Sequence, residues 1–203
     1  VIAPPDDEVV RVAIVTESFL PALNGVTTSV CHVAQELMEL GHHVEILAPD
    51  PAPTSYRGLR VHGVTSLPVR QFQVGLPIPR VADLLWRIAP DVVHVASPFF
   101  LGKRALTAAR GMGIPTVAVY QTDMASYVGQ HRGPFSTALA ACTWRYVRQV
   151  HSFADVTLAP SRAAMDDLER AGVPRVRRWG RGVDVPLFHP DWREDAGARA
   201  LRR

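Results

Sequence analysis

Runs of β-branched residues alternate along this sequence with segments of helical periodicity, and that alternation limits the possible folds more than any other feature. Residues 9–16 read VVRVAIVT, a buried strand. Residues 27–40 then place Val30, Val33, Ala34, Leu37 and Leu40 on one helical face, with Gly41 in the position of a helix stop. Strands are expected again at 44–48, 59–64, 92–96, 116–120 and 156–159, with a short strand region at 173–182. Helices are expected at 80–89, 101–110, 135–153 and from the Ser161 cap to Ala171. A proline-rich stretch up to Gly58 and the segment 65–79, with Pro68, Pro77 and Pro79, read as loop and irregular chain. Six or seven strands alternating with helices predict an α/β fold, a Rossmann-like doubly wound parallel sheet. Right-handed crossovers gather the strand-to-helix loops at the carboxyl edge, where such sheets bind ligands.

Composition narrows the function classes. With 47% apolar and 20% charged residues over 203 positions, the chain can build a sizeable core. No apolar run reaches the roughly 18 residues of a membrane span. The net charge of +3 is too small for a general nucleic-acid binder, so no nucleic-acid partner is expected. The first ten residues, VIAPPDDEVV, lack a basic leader, and Cys31 and Cys142 form no disulfide framework. A cytoplasmic location is the expectation. Residues 1–184 read as one domain, and 185–203, with Pro186 and Pro190 before a polar tail, as a linker or the start of another domain.

Four carboxyl-edge segments carry the candidate chemistry. After the first strand, Asn24-Gly25 leads into a helix. Free backbone N–H groups, the positive helix end and a small residue suit a phosphate; an Asn-Gly turn with no ligand explains the pair equally well. One glycine is not a dinucleotide fingerprint, and Asp50 after the second strand reads as a turn residue. In VVHVASP, His94 reads as a core histidine, while Ser97-Pro98 ends the strand facing a ligand position. The loop from Gln121 through Asp123, Tyr127, His131 and Arg132 mixes amide, carboxylate, aromatic, imidazole and guanidinium groups, as a sugar site requires. Long loops in compact domains are usually functional, which favours a site over plain exposure. Arg175, Arg177, Arg178 and Arg181 around Trp179 suit a phosphate or membrane-surface patch, but such a run more often reads as a solvated edge. No metal-ligand spacing and no G-x-S-x-G elbow occurs, so no metal is expected and a hydrolase triad has no anchor.

The stretches AIVTESFLPALNGVTTSV, PDVVHVASPFFLG, GIPTVAVYQTDMASY, ADVTLAPS and RGVDVPLFHP, in that order, resemble the N-terminal half of retaining GT-B glycosyltransferases of family 4. VAVYQTD with RGVD is most similar to that family's GDP-mannose-dependent α-mannosyltransferases. The resemblance implies one half of a GT-B fold, whose N-terminal domain holds the acceptor and whose second domain holds the nucleotide-sugar. It implies that Asn24 and Gly25 approach the donor diphosphate and that Gln121 and Asp123 lie near the transferred sugar. Ser97, Tyr127, His131 and Arg132 fall on the acceptor side. The family often has a histidine where Gln121 stands; glutamine bonds a sugar hydroxyl but is no general base. The implied partners are a nucleotide-sugar, expected to be GDP-mannose, and a glycolipid or glycan acceptor, with no resident cofactor. Residues 59–87, with Arg60, Arg70, Arg80 and Arg87 among apolar residues, suit the inner membrane face or an ordinary packed loop. The half-fold taken alone is expected to be catalytically silent. A stand-alone nucleotide- or sugar-binding module and a nucleotide-sugar epimerase are the alternative functions.

Overall fold

The structure, a computed structural model, describes residues 9–69, 72–75, 80–96, 98–121, 136–180, 182, 188–194, 197 and 200. In chain order the elements are β1 (Arg11–Val15), α1 (Gly25–Glu39), β2 (His43–Pro49), β3 (Ser55–Tyr56), β4 (Leu59–Val64), β5 (Ser66–Val69) and β6 (Phe72–Gly75). There follow α2 (Arg80–Ile88), β7 (Val92–Val95), α3 (Phe100–Gly111), β8 (Thr116–Val119), α4 (Ser136–His151), β9 (Val156–Ala159), α5 (Arg162–Arg170) and β10 (Val176–Arg178). A 3₁₀ turn, Pro190–Glu194, lies in the segment expected to be a linker.

The main sheet runs β10-β9-β8-β7-β1-β2-β4-β3, parallel throughout except for β3. β1 is central: Val12 pairs with Val44 on one side and Val92 on the other. Its side chains alternate between two cores. Ala13 and Val15 pack under α2 and α3 with Leu85, Leu101, Leu106 and Val150. Val12 and Ile14 pack under α1 with Val30, Ala34 and Ile46. A third cluster, Tyr120, Val147, Ala159, Leu168 and Val173, joins α4 and α5 to the end of the sheet. This is the doubly wound parallel sheet that the sequence predicts.

Three expectations need correction. The segment 65–79 is not irregular throughout, because β5 and β6 form an antiparallel ribbon with Pro68 opposite Gln73. A two-stranded ribbon has an outer edge on both strands, so it tolerates a proline that a central strand would not. The stretch before Gly58 contains β3, which turns back onto β4 through Arg57 and Gly58, at φ 47° and 87°. Two consecutive positive φ values match the hairpin turn that follows strand twist; Arg-Gly hides this turn because Asn-Gly is its usual signal. Helix α1 begins at Gly25, two residues before the apolar periodicity.

Part of the arginine run lies at an edge, and Arg181 lies outside the described residues. Arg177 and Arg178 are exposed on β10, the outermost strand. Arg175 is structural, donating from Nη2 to the carbonyls of Ser152 (3.0 Å) and Ala154 (2.7 Å), just beyond α4. The expected cap is also present: Ser161 Oγ accepts the Ala164 N–H at 3.1 Å.

Helix α3 carries one wall of the carboxyl edge and depends on its buried face. Leu106→Ala is expected to cost about 2–5 kcal/mol, because a fully buried leucine leaves a cavity that a sheet-packed helix cannot fill. Urea denaturation measures the loss.

Candidate functional site

At the carboxyl edge the connections from β1 and β7 leave on opposite faces of the sheet. Neighbouring strands whose connections diverge in this way open a crevice, the usual ligand position in such sheets. The loop after β1 forms one side of the crevice, and the start of α3 forms the other.

The β1–α1 loop is braced by its own side chains. Asn24 is extended (φ −155°, ψ 177°) and caps α1, its Oδ1 accepting the Val26 and Thr27 N–H groups at 3.0 Å each. Its Nδ2 donates to Ser18 Oγ at 2.6 Å. Thr27 Oγ1 donates to the Ala22 carbonyl at 2.8 Å, and Thr16 Oγ1 donates to the Ser18 carbonyl at 2.8 Å. This geometry bears on how Asn24-Gly25 shapes the chain. The pair makes no left-handed turn, since Asn24 is the helix cap and Gly25 the first helical residue. Nor does packing require glycine, because a Cβ at Gly25 would meet nothing within 4 Å. An open helix start remains, and Asn24 has already taken the amides of Val26 and Thr27, so an anion there would approach the Gly25 end.

Gln121 lies two residues past the end of β8 and lines a small pocket with Pro98, Phe99, Tyr120, Tyr146 and His151. Ser97, Asp123, Tyr127, His131 and Arg132 lie outside the described residues. His151, beneath the pocket, is buried, with Nδ1 3.1 Å from Thr157 Oγ1 and its ring edge-on to Tyr120. Burial pushes its pKa down to about 4, so the imidazole is neutral. Burial likewise pushes His94 down to about 4, and its ring meets Trp179 edge-on at 6.5 Å. His94 is half-buried on β7 between the buried Val93 and Val95.

Sequence reasoning missed Glu17. It follows Thr16 at the mouth of the crevice, and its carboxylate accepts the Gly102 N–H at 2.9 Å, with the backbone amides of Leu101 and Phe99 also favouring its charged form. The residue keeps some exposed surface while the carboxylate itself is enclosed, and loss of hydration outweighs the amide bonds. Its pKa is raised to about 7. Tyr146, nearby on α4, donates its hydroxyl to the Phe99 carbonyl at 3.1 Å. Its pKa is raised by burial first and then by the Glu17 charge. The available sequence signal was an acid one residue past a buried strand, which looks the same as any loop acid.

Residues 23–186 match the family model described as Glycosyltransferase Family 4. The chain belongs to glycosyltransferase family 4. Over 92% of its length it is 47% identical to a GDP-mannose-dependent α-mannosyltransferase of Mycobacterium tuberculosis, of which it covers 51%. Over 91% of its length it is 45% identical to the protein of the same name from Mycolicibacterium smegmatis, again covering 51%. The chain thus spans about half the length of these curated relatives. Among solved structures, the UDP-N-acetylglucosamine 2-epimerase of Rickettsia bellii superposes with a TM-score of 0.60 at 14% identity, over 96% of this chain and 52% of that one. At that identity the likeness shows the shared fold. In this family-4 domain, among the described residues, no helix is long and apolar enough to cross a membrane.

Two outcomes follow from the site. A carboxyl whose folded pKa is raised binds its proton more tightly in the native state. Its contribution to stability is complete below about pH 4.5 and is lost as pH rises through about 7. The buried histidines act in the opposite sense, so the comparison has to be with Glu17→Gln. Thermal scans from pH 4.5 to 8 are expected to show the variant gaining melting temperature on wild type as pH rises, most of the gain coming before pH 7.5. Asn24→Ala is expected to cost about 0.5–2 kcal/mol through the lost cap, read by denaturant titration.

Proposed function

We propose that this chain is the acceptor-side half of a retaining α-mannosyltransferase that moves mannose from GDP-mannose to a glycolipid or glycan. The observation that carries the reading is the 45–47% identity, over more than nine-tenths of the chain, to GDP-mannose-dependent α-mannosyltransferases. The geometry supports it. Gly25 leaves room at a helix start for the donor diphosphate. Gln121 can bond a sugar hydroxyl at the carboxyl edge, with Asp123 beside it in sequence. Ser97, Tyr127, His131 and Arg132 supply the acceptor side. Gln121 is no general base, so the proton of the acceptor hydroxyl passes to the leaving phosphate. No resident cofactor and no metal enters this scheme. The enzyme works in the cytoplasm at the inner membrane face, where Trp86, 75% exposed on α2, stands beside the exposed Arg87.

The deciding experiment incubates the full-length protein with radiolabelled GDP-mannose and a membrane lipid extract. Transfer to lipid in the α configuration is expected. Turnover of a UDP-sugar without any acceptor would instead establish the epimerase alternative. Gly25→Val in the full-length protein is expected to lower transfer at least about tenfold by closing the approach to the diphosphate, at nearly unchanged melting temperature. The 203 residues alone are expected to show weak GDP binding by calorimetry and no transfer, because they span about half the length of the α-mannosyltransferases they match and transfer needs donor and acceptor aligned. Tight GDP binding by this half would favour the binding-module alternative.

A further inference from the structure

Glu17 joins two loops that the fold would otherwise leave independent. The β1–α1 loop carries Asn24 and Gly25. The start of α3 carries Phe99, which lines the pocket with Gln121. Helix α3 has no cap from its own N-cap residue, as Phe99 occupies that position without a side-chain hydrogen bond. The cap comes from Glu17, 85 positions before Gly102, at 2.9 Å. The same turn is held a second time, the Tyr146 hydroxyl donating to the Phe99 carbonyl at 3.1 Å. A serine or aspartate at position 99 would cap α3 without enclosing a carboxylate. An acid on the β1 side additionally provides a link across the crevice.

We propose that Glu17 is a positioning residue for glycosyl transfer: through the Gly102 N–H at the start of α3, a turn held also by Tyr146 at the Phe99 carbonyl, it locks the loop bearing Asn24 and Gly25 to the pocket wall beside Gln121. This rests on the mannosyltransferase reading above. The donor diphosphate and the transferred sugar are parts of one molecule, so the two loops must keep their separation as it reacts. Loss of the lock affects alignment more than ground-state binding.

The test measures kcat and KM for GDP-mannose in the full-length protein, with melting temperatures alongside. Glu17→Ala is expected to lower kcat by about tenfold or more, since small misplacements near reacting groups are costly. KM is expected to change far less, which separates alignment from binding. Glu17→Gln keeps an acceptor oxygen and is expected to restore most of kcat. Tyr146→Phe removes only the donor to Phe99 and is expected to lower kcat severalfold, again with little change in KM. Wild-type kcat in a folded Glu17→Ala or in Tyr146→Phe overturns the proposal, as does a rise in KM alone. If Glu17→Ala does not fold, Tyr146→Phe and the Gln variant decide the matter on the same criteria. Failure of the wild type to transfer mannose would overturn the mannosyltransferase reading and this proposal with it; an active wild type with unaffected variants overturns the proposal alone.

Discussion

The pairing of β1 on both of its edges is the constraint on which the rest of this domain depends. Its backbone bonds β2 on one side and β7 on the other, and Ala13, Ile14 and Val15 are fully enclosed. Because the chain leaves β1 toward one face and β7 toward the other, their connections diverge and a crevice opens above them. Everything with chemical capacity in the described residues is set by that divergence. The capped start of α1 lies on one side, and the Phe99 peptide and Gln121 pocket lie on the other.

Burial then sets the charge states. His94 and His151 lie where hydration is lost, and both stay neutral near pH 7. Glu17 meets the same penalty with the opposite consequence, since an acid deprived of water holds its proton longer. Its pKa of about 7 leaves it divided between two forms at neutral pH. Both forms can accept an amide hydrogen bond, so the link to α3 is retained while its strength changes with charge. A single desolvation effect therefore lowers the two histidines and raises Glu17.

A likeness of fold and a likeness of sequence carry different weight here. The epimerase superposes over nearly the whole chain but shares 14% of residues, and doubly wound sheets support unrelated chemistries. The α-mannosyltransferases share about three times that fraction over the same span. The open space at Gly25 acquires a specific meaning in that context: neither backbone conformation nor packing within this domain demands glycine there.

The sequence by itself determined the strand and helix order, the buried faces, the Ser161 cap and the family, because period-2 and period-3.6 patterns and capping residues are local signals. It also drew attention to Gln121 and Asn24-Gly25, since both lie in the connections that follow strands. The β5–β6 ribbon and the β3 hairpin escaped it, because prolines and an Arg-Gly pair mask short strands whose stability comes from their partners. Whether Asn24-Gly25 was a turn or a helix cap turned on backbone angles that either reading allowed. Glu17 was decided by tertiary structure alone. Its partners lie some 80 residues away, and only the closure of β7 against β1 brings an ordinary loop acid onto the end of another helix.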